Sequence, residues 1–166
     1  MTQQEYENKI KELEKQIEEL KTAKIEESQL KRWKPKEKAN ETYYLVTTNG
    51  EISNTRWLND NFDKWLYLTD NCFKTKEEAE EYKKQIEYTA RYKNYIEEHS
   101  EPIDWKNKEQ SKFCVRYDNT VEMFMVDEYT YYSYQGTIYA SSEQIIEDAI
   151  KEIGEDNFKK YVLGVK

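Results

Sequence analysis

The sequence predicts an α+β protein in which a long, coiled-coil-like N-terminal helix precedes a duplicated β-β-β-α unit with antiparallel sheets. Three observations predict this class. Residues 3–29 lack glycine and proline and show a helical spacing of apolar residues. A pattern of short strands begins at Trp33 and again at Trp105. Each copy ends in a helix-start signature. Because 37% of the residues are hydrophobic and 36% are charged, the core must be small.

The N-terminal segment, residues 1–30, is predicted to form a helix with a heptad seam. Isoleucine at the a positions and leucine at the d positions favour a parallel two-stranded coiled coil, so we expect a homodimer through this seam. Because the seam covers only about two heptads, a helix folded back on its own domain is the alternative. The seam residues are Tyr6, Ile10, Leu13, Ile17 and Leu20.

A basic linker is predicted over residues 31–40, which include the run "KRWKPKEK". Pro35 ends the preceding helix because proline cannot continue one. The alternative interpretation is a short arm that contacts phosphates beside Trp33.

The internal repeat is the most specific feature of the chain. The segment "WKPKEKANETYYLVTTNG" is similar to "WKNKEQSKFCVRYDNT", and turns are predicted at Asn49-Gly50 and at Asp118-Asn119. Second strands are expected at "EISNTRWL" and "VEMFMV", and third strands at "KWLYLT" and "YTYYSY". We therefore predict a first repeat over residues 41–101 and a second over 102–166, the latter ending in a short helix.

Each repeat is predicted to enter its helix through a capping box. Thr75 is followed three residues later by Glu78, and Ser141 is followed by Gln144. In a capping box the hydroxyl and the acidic or amide side chain satisfy each other's backbone N–H groups at the helix start. The spacing predicts helices over about residues 76–99 and 142–153.

The first repeat resembles a group of small phage and prophage proteins of low-GC Gram-positive bacteria. The residues that carry the resemblance are "WKP…ETYYLVTTNGEI…W…D…NCFKTKEEAEEY", and the likeness is weaker over the second repeat. The resemblance implies a phage accessory protein in the cytoplasm of a bacterial host cell. In that setting small acidic proteins often bind a host protein. The group assigns no functional residue.

Most catalytic and cofactor chemistry is disfavoured by the composition. The chain has a single histidine, His99, and two distant cysteines, Cys72 and Cys114, without metal-ligand spacing. It has four glycines and no phosphate-binding loop motif. We therefore expect no enzyme activity, no metal site and no cofactor. His99 is interpreted as a helix C-terminal cap and the cysteines as reduced core thiols.

The candidate binding surface combines acidic residues with tyrosines. Between Asp118 and Asn157 acidic residues far outnumber the one base, Lys151. Such a surface could imitate nucleic-acid phosphates to a basic or nucleic-acid-binding host protein. The alternatives are a solvated helix face and cross-strand tyrosine pairs that stiffen the sheet. The predicted partner-binding residues are Asp127, Glu128, Tyr129, Tyr131, Tyr132, Tyr134, Glu143, Glu147 and Asp148.

The expected function is a non-enzymatic protein-binding module that inhibits a host defence or nucleic-acid-handling protein. One alternative is a single-stranded nucleic-acid-binding protein that uses exposed aromatic residues. The net charge of −8 argues against it, because nucleic-acid binding normally requires a basic face. A second alternative is a dimeric structural scaffold. No run of about 18 apolar residues is present, so no membrane span is expected.

Overall fold

A computed structural model describes residues 9, 11–15, 33–35 and 40–165. Helices and two-stranded sheets are combined, which confirms the predicted α+β class. In chain order the elements are β1 (Thr42–Val46), β2 (Ile52–Arg56), α1 (Asn61–Leu68), α2 (Lys76–His99), β3 (Lys112–Asp118), β4 (Met123–Tyr129), α3 (Glu143–Ile153), α4 (Glu155–Asn157) and a π-helical turn (Phe158–Val162).

The chain forms two compact units. Unit 1 comprises Met1–Leu45 and Asn54–Lys74, and unit 2 comprises Val46–Ser53 and Thr75–Lys166. Helix α2 therefore belongs to the same unit as the second half of the chain. The predicted boundary at residue 101 separates two sequence repeats and is a different division from these compact units. It stays a prediction.

The first hairpin, β1–β2, forms at the predicted Asn49-Gly50 turn. The amide of Gly50 donates to the Thr47 carbonyl at 2.9 Å, and the amide of Thr47 donates to the Glu51 carbonyl at 2.8 Å. Gly50 has a φ of 78°, a left-handed conformation that glycine adopts without steric cost. This confirms the turn prediction.

The core of unit 1 is small and aromatic. Its buried residues are Tyr43, Leu45, Trp57, Leu66 and Cys72. Asp63 is buried among them and accepts a hydrogen bond from the Tyr43 hydroxyl at 2.7 Å and from the Leu58 amide at 2.6 Å. These two donors satisfy a carboxylate that would otherwise be costly to bury.

The predicted third strand of the first repeat, "KWLYLT", is wrong, because these residues belong to α1 and its C-terminal end. The helix begins where the Asp60 side chain accepts a hydrogen bond from the Asp63 amide at 2.9 Å. Such an N-cap favours a helix over an alternating strand. In place of the strand, Tyr44 and Phe73 form an isolated antiparallel bridge with reciprocal 2.9 Å hydrogen bonds.

Unit 2 contains the larger core. Helix α2 packs against α3 and the π-helical turn. Strands β3 and β4 pair antiparallel, with Val115 opposite Val126, and one sheet face packs onto the helices. The buried cluster is Tyr92, Ile96, Ala140, Ile146, Ala149, Ile150, Ile153 and Phe158. Burial of Phe158 and Tyr161 confirms that the C-terminal turn packs onto this unit.

The third strand predicted at "YTYYSY" is also wrong. Only Tyr129 lies in β4, and the chain then leaves the sheet as a loop over residues 130–139. After the loop, the chain pairs with β3 again at an isolated bridge, where Phe113 and Ala140 exchange hydrogen bonds of 2.9 and 2.8 Å.

The predicted capping box at Ser141 and Gln144 is wrong as well. The N-cap of α3 is Ser142, which makes no side-chain capping bond. The Ser141 hydroxyl instead accepts hydrogen bonds from the Ser100 hydroxyl and the Glu101 amide, both at 3.1 Å. Ser141 thus joins the end of α2 to the start of α3.

Both halves nevertheless share a local order of hairpin, bridge and helix. In each, the bridge joins the first strand of the hairpin to a residue two positions before the helix N-cap. The residue pairs are Tyr44 with Phe73 before Thr75, and Phe113 with Ala140 before Ser142. A full β-β-β-α duplication is not observed.

The capping box at Thr75 is confirmed and gives a stability prediction. The Glu78 amide donates to Thr75 Oγ1, and the Thr75 amide donates to the Glu78 carboxylate, both at 3.2 Å. We expect Thr75→Ala to lower the free energy of unfolding by about 1 kcal/mol. Ser142→Ala is the matched control, because Ser142 makes no capping bond. Chemical denaturation of both variants measures the difference, and equal losses would contradict the assignment.

The N-terminal seam lies mostly outside the described residues. Residues 11–15 are helical and exposed, and Leu13 is among them. Tyr6, Ile10, Ile17 and Leu20 lie outside the described residues, so dimerisation through the seam stays a prediction. Among the helices that the structure describes, none is both long and apolar enough to cross a membrane.

Candidate partner-binding surface

The tyrosine loop, residues 130–139, connects β4 to the bridge residue Ala140. It contains a turn in which the Thr137 amide donates to the Tyr134 carbonyl at 3.2 Å. Gly136 occupies the turn with a φ of 81°, where a side chain would be strained. The loop is therefore a defined turn rather than a continuation of the strand.

An aromatic cluster supports the base of this loop. Tyr129 contacts Tyr134 and Tyr139 edge to face, with ring centroids 5.5 and 6.3 Å apart. Trp105 contacts Tyr139 in the same manner at 4.9 Å. The Tyr139 hydroxyl also accepts a hydrogen bond from the Tyr134 amide at 2.9 Å. Edge-to-face pairs of this kind contribute about 0.5–1.5 kcal/mol each beyond their burial.

The buried side chain of Lys112 holds the start of the loop. It is fully buried at the start of β3, directly opposite Tyr129 in the sheet register. Its ammonium donates to the Asn107 carbonyl at 2.7 Å and to the Thr130 carbonyl at 3.4 Å, and it lies 5.6 Å from the centre of the Trp105 ring. These contacts compensate the cost of burying a cation and tie both flanking loops to the strand.

Sequence reasoning missed Lys112 because a lysine in a short strand is normally exposed. The internal repeat nevertheless indicates that Lys112 occupies a buried position. Since Tyr44 and Phe113 occupy the same bridge position, Lys112 is the counterpart of Tyr43, which is buried. The alternation of buried positions, with Cys114 two residues on, therefore places Lys112 inside.

Three tyrosines of the loop are exposed together. The exposed fractions are 63% for Tyr131, 70% for Tyr132 and 57% for Tyr134. Because these three residues follow β4, they do not alternate between the two faces of a sheet. Tyr129, by contrast, is half-buried, and burial followed by the nearby Asp127 charge raises its pKa.

The acidic residues of β4 are engaged by neighbours. Asp127 accepts a hydrogen bond from Arg116 Nε at 2.8 Å, and Arg116 also pairs with Asp118 at 3.6 Å. The hydrogen bond to Asp127 is the main cause of a raised pKa of the Arg116 guanidinium. Glu128 accepts a hydrogen bond from the Ser111 hydroxyl. The charge of Asp127 is therefore offset by Arg116, whereas the partner of Glu128 is neutral.

The acidic residues of α3 are more open. Glu143 and Glu147 are exposed on successive turns. Asp148 accepts a hydrogen bond from the Gln144 amide group at 3.0 Å and pairs with Lys151 at 3.4 Å. In the described part of the chain, no hydrogen bond or ring contact joins these helix acids to the loop tyrosines. The predicted site residues thus lie in three places: the tyrosine loop with Tyr129 before it, strand β4 and helix α3.

Net charge is distributed unevenly between the two units. Acidic and basic residues are equal in number in unit 1, so the whole net charge of −8 lies in unit 2. The asymmetry predicted for residues 118–157 therefore extends to the complete unit. A basic partner would be attracted to unit 2 and not to unit 1.

The two cysteines and the histidine occupy positions that serve the fold. Cys72 and Cys114 are buried, and burial is the main cause of the raised pKa of the Cys114 thiol. His99 Nδ1 lies 2.8 Å from the Tyr95 carbonyl one helical turn earlier, which fits the predicted C-terminal cap. Over the described residues, no group of three or more histidine, cysteine or acidic side chains is arranged to hold a metal ion.

Comparison with known proteins gives no assignment: no protein-family model, no curated protein and no solved structure matches the chain. The geometry of the described residues is therefore the basis for a functional proposal.

Proposed function

We propose that this chain is a non-enzymatic protein-binding module whose tyrosine loop contacts a host protein. The observation that carries the proposal is the loop itself, in which Tyr131, Tyr132 and Tyr134 are exposed on a backbone held by Lys112 and an aromatic base. Three neighbouring exposed tyrosines are a composition typical of protein-binding loops.

A fixed loop favours binding for an entropic reason. Tyrosine has few rotatable bonds for its contact area, so ordering it costs little conformational entropy. The loop backbone is held before any partner arrives, because the Tyr134 amide and the Thr130 carbonyl already have intramolecular partners. Preorganisation of this kind leaves more of the contact energy for affinity.

The charge of unit 2 supports a basic partner. The exposed Glu143 and Glu147 lie on the helix that follows the loop, in a unit that carries the whole net charge. Long-range attraction would speed association with a basic or nucleic-acid-binding protein and would weaken as salt screens it. A host defence or nucleic-acid-handling protein, inhibited by occupation of its basic surface, is the partner we propose.

The remaining elements of the proposal rest on sequence. These are the phage origin, the location in the bacterial cytoplasm, the homodimer through the N-terminal seam and the origin of both halves by duplication of one unit. The shared order of hairpin, bridge and helix supports the duplication.

The single-stranded nucleic-acid alternative has less support. Trp33, its candidate stacking residue, packs against the core of unit 1. The neighbouring Lys34 ammonium lies 5.7 Å from the Trp57 ring centre and 5.6 Å from that of Tyr67. Both residues are therefore engaged in the fold rather than presented as a free basic arm.

We expect the combined substitution Tyr131→Ala and Tyr132→Ala to abolish capture of the partner without unfolding the protein. The experiment is affinity capture by the tagged full chain from nuclease-treated bacterial lysate, followed by titration with the purified partner. Loss of two central aromatic contacts should weaken binding roughly tenfold to hundredfold.

The matched control is Met123→Ala, because Met123 is an exposed apolar residue of the same unit outside the loop. It should bind normally. Equal binding by the tyrosine variant and the wild type would contradict the proposal. Capture that requires intact nucleic acid in the lysate would favour the nucleic-acid alternative instead.

A further inference from the structure

Helix α1 of unit 1 has an unusual distribution of side chains. Its inward side holds the buried Asp63 and Leu66, whereas its outward side holds Phe62, Trp65 and Leu68. In a surface helix the apolar stripe normally faces the core and the polar residues face water. Here a charged residue faces the core and the largest apolar residues face solvent.

The exposure of this outer face is extensive. The exposed fractions are 55% for Phe62, 57% for Trp65 and 79% for Leu68, and Leu58 just before the helix is 70% exposed. Residues three apart on a helix are neighbours, so Phe62, Trp65 and Leu68 form a row. Together the four residues, here called the α1 outer face, expose on the order of 400 Å² of side chain. The largest apolar patch on a protein surface is often of about this size and is often functional.

The charge around this face indicates the occupant. The segment that carries this face, residues 54–74, has three acidic and three basic residues, whereas unit 2 carries the whole net charge of −8. Contact through unit 2 would bring like charges together, whereas contact through the neutral α1 segment would bring together fewer of them. The exposed Asp60 and Lys64 beside the face carry opposite signs. A two-fold contact brings the same patch onto itself, so a neutral apolar face with both signs at its rim is self-complementary.

We propose that the α1 outer face is a contact between two copies of this chain. A stable interface buries about 800 Å² on each partner, with an apolar centre and a polar rim. The α1 outer face supplies about half of that area as its centre, and Asp60 and Lys64 belong to the rim. Trp65 is the expected hot spot, because tryptophan contributes disproportionately at such centres. This inference does not rest on the proposed function.

The test is sedimentation equilibrium of the full chain over a wide range of concentrations. The variants are Trp65→Gln with Leu68→Gln on the α1 outer face, Leu13→Gln on the predicted N-terminal seam, and Met123→Gln as an exposed apolar control in unit 2. We expect a wild-type dimer whose dissociation constant rises by about thirtyfold or more in the α1 variant and is unchanged in the Met123 control.

A wild-type chain that is monomeric at every concentration overturns the proposal. An α1 variant that associates like the wild type also overturns the proposal. This includes the result in which Leu13→Gln abolishes association and the α1 variant does not. Hydrogen exchange on the unmodified protein removes any dependence on how the variants fold. The amides of α1 should become more protected as concentration rises, and protection that does not change with concentration overturns the proposal.

Discussion

Asp63→Ala is expected to lower the free energy of unfolding of unit 1 by about 2–5 kcal/mol, a large effect for one carboxylate. The substitution removes the acceptor of both the Tyr43 hydroxyl and the Leu58 amide. Each donor left unpaired in a buried site costs about 1–3 kcal/mol. The pKa of the Tyr43 phenol is raised, first by burial and then by this hydrogen bond, as expected for a hydroxyl held as a donor inside the core.

The measurement is chemical denaturation followed by tryptophan fluorescence. Trp57 is a suitable reporter because it lies edge to face with Tyr43, their ring centres 5.8 Å apart. Asp60→Ala is the matched control, since it removes the N-cap of the same helix and should cost only about 1 kcal/mol. Equal losses for the two variants would show that the buried carboxylate contributes no more than an exposed cap.

Lys112→Met is expected to destabilise unit 2 by about 1–3 kcal/mol and to loosen the tyrosine loop. Methionine retains most of the volume of the lysine stem, so the variant isolates the ammonium contacts from packing. Without them the Asn107 and Thr130 carbonyls lose the Lys112 donor, and the cation over the Trp105 ring disappears. The loop would lose its contact with Lys112, although its own residues, including Tyr131 and Tyr132, are not substituted.

Hydrogen exchange of residues 130–139 gives the direct readout for this variant. Exchange should become faster in Lys112→Met, and partner affinity should fall by about tenfold because binding must then order the loop. Lys151→Met is the matched control, since Lys151 is exposed and its pair with Asp148 contributes little to stability. Unchanged loop exchange in Lys112→Met would mean that the aromatic base alone holds the loop.

Features encoded by neighbouring residues could be predicted from the sequence. The Thr75 capping box and the Asn49-Gly50 turn each depend on residues within four positions, and both formed as predicted. The absence of the two predicted third strands does not follow from neighbouring residues in this way. The segment of α1 resembles an alternating strand because the apolar Trp65 and Leu68 face outward while Leu66 faces the core.

The binding surface was predicted in part. The tyrosine-rich segment was identified, but its conformation depends on contacts distant in sequence, such as Lys112 to the Thr130 carbonyl. Asp63 was missed for the same reason, because its partner Tyr43 lies 20 residues away. Charged residues are rarely buried without a partner, and sequence alone does not show the partner.

The most direct measurement of the central claim is hydrogen exchange of the wild-type chain with and without the captured partner. If the tyrosine loop is the binding site, residues 130–139 should gain protection in the complex, as should the first turn of α3 at Glu143. Protection confined to other segments, with the loop exchanging as in the free chain, would contradict the claim.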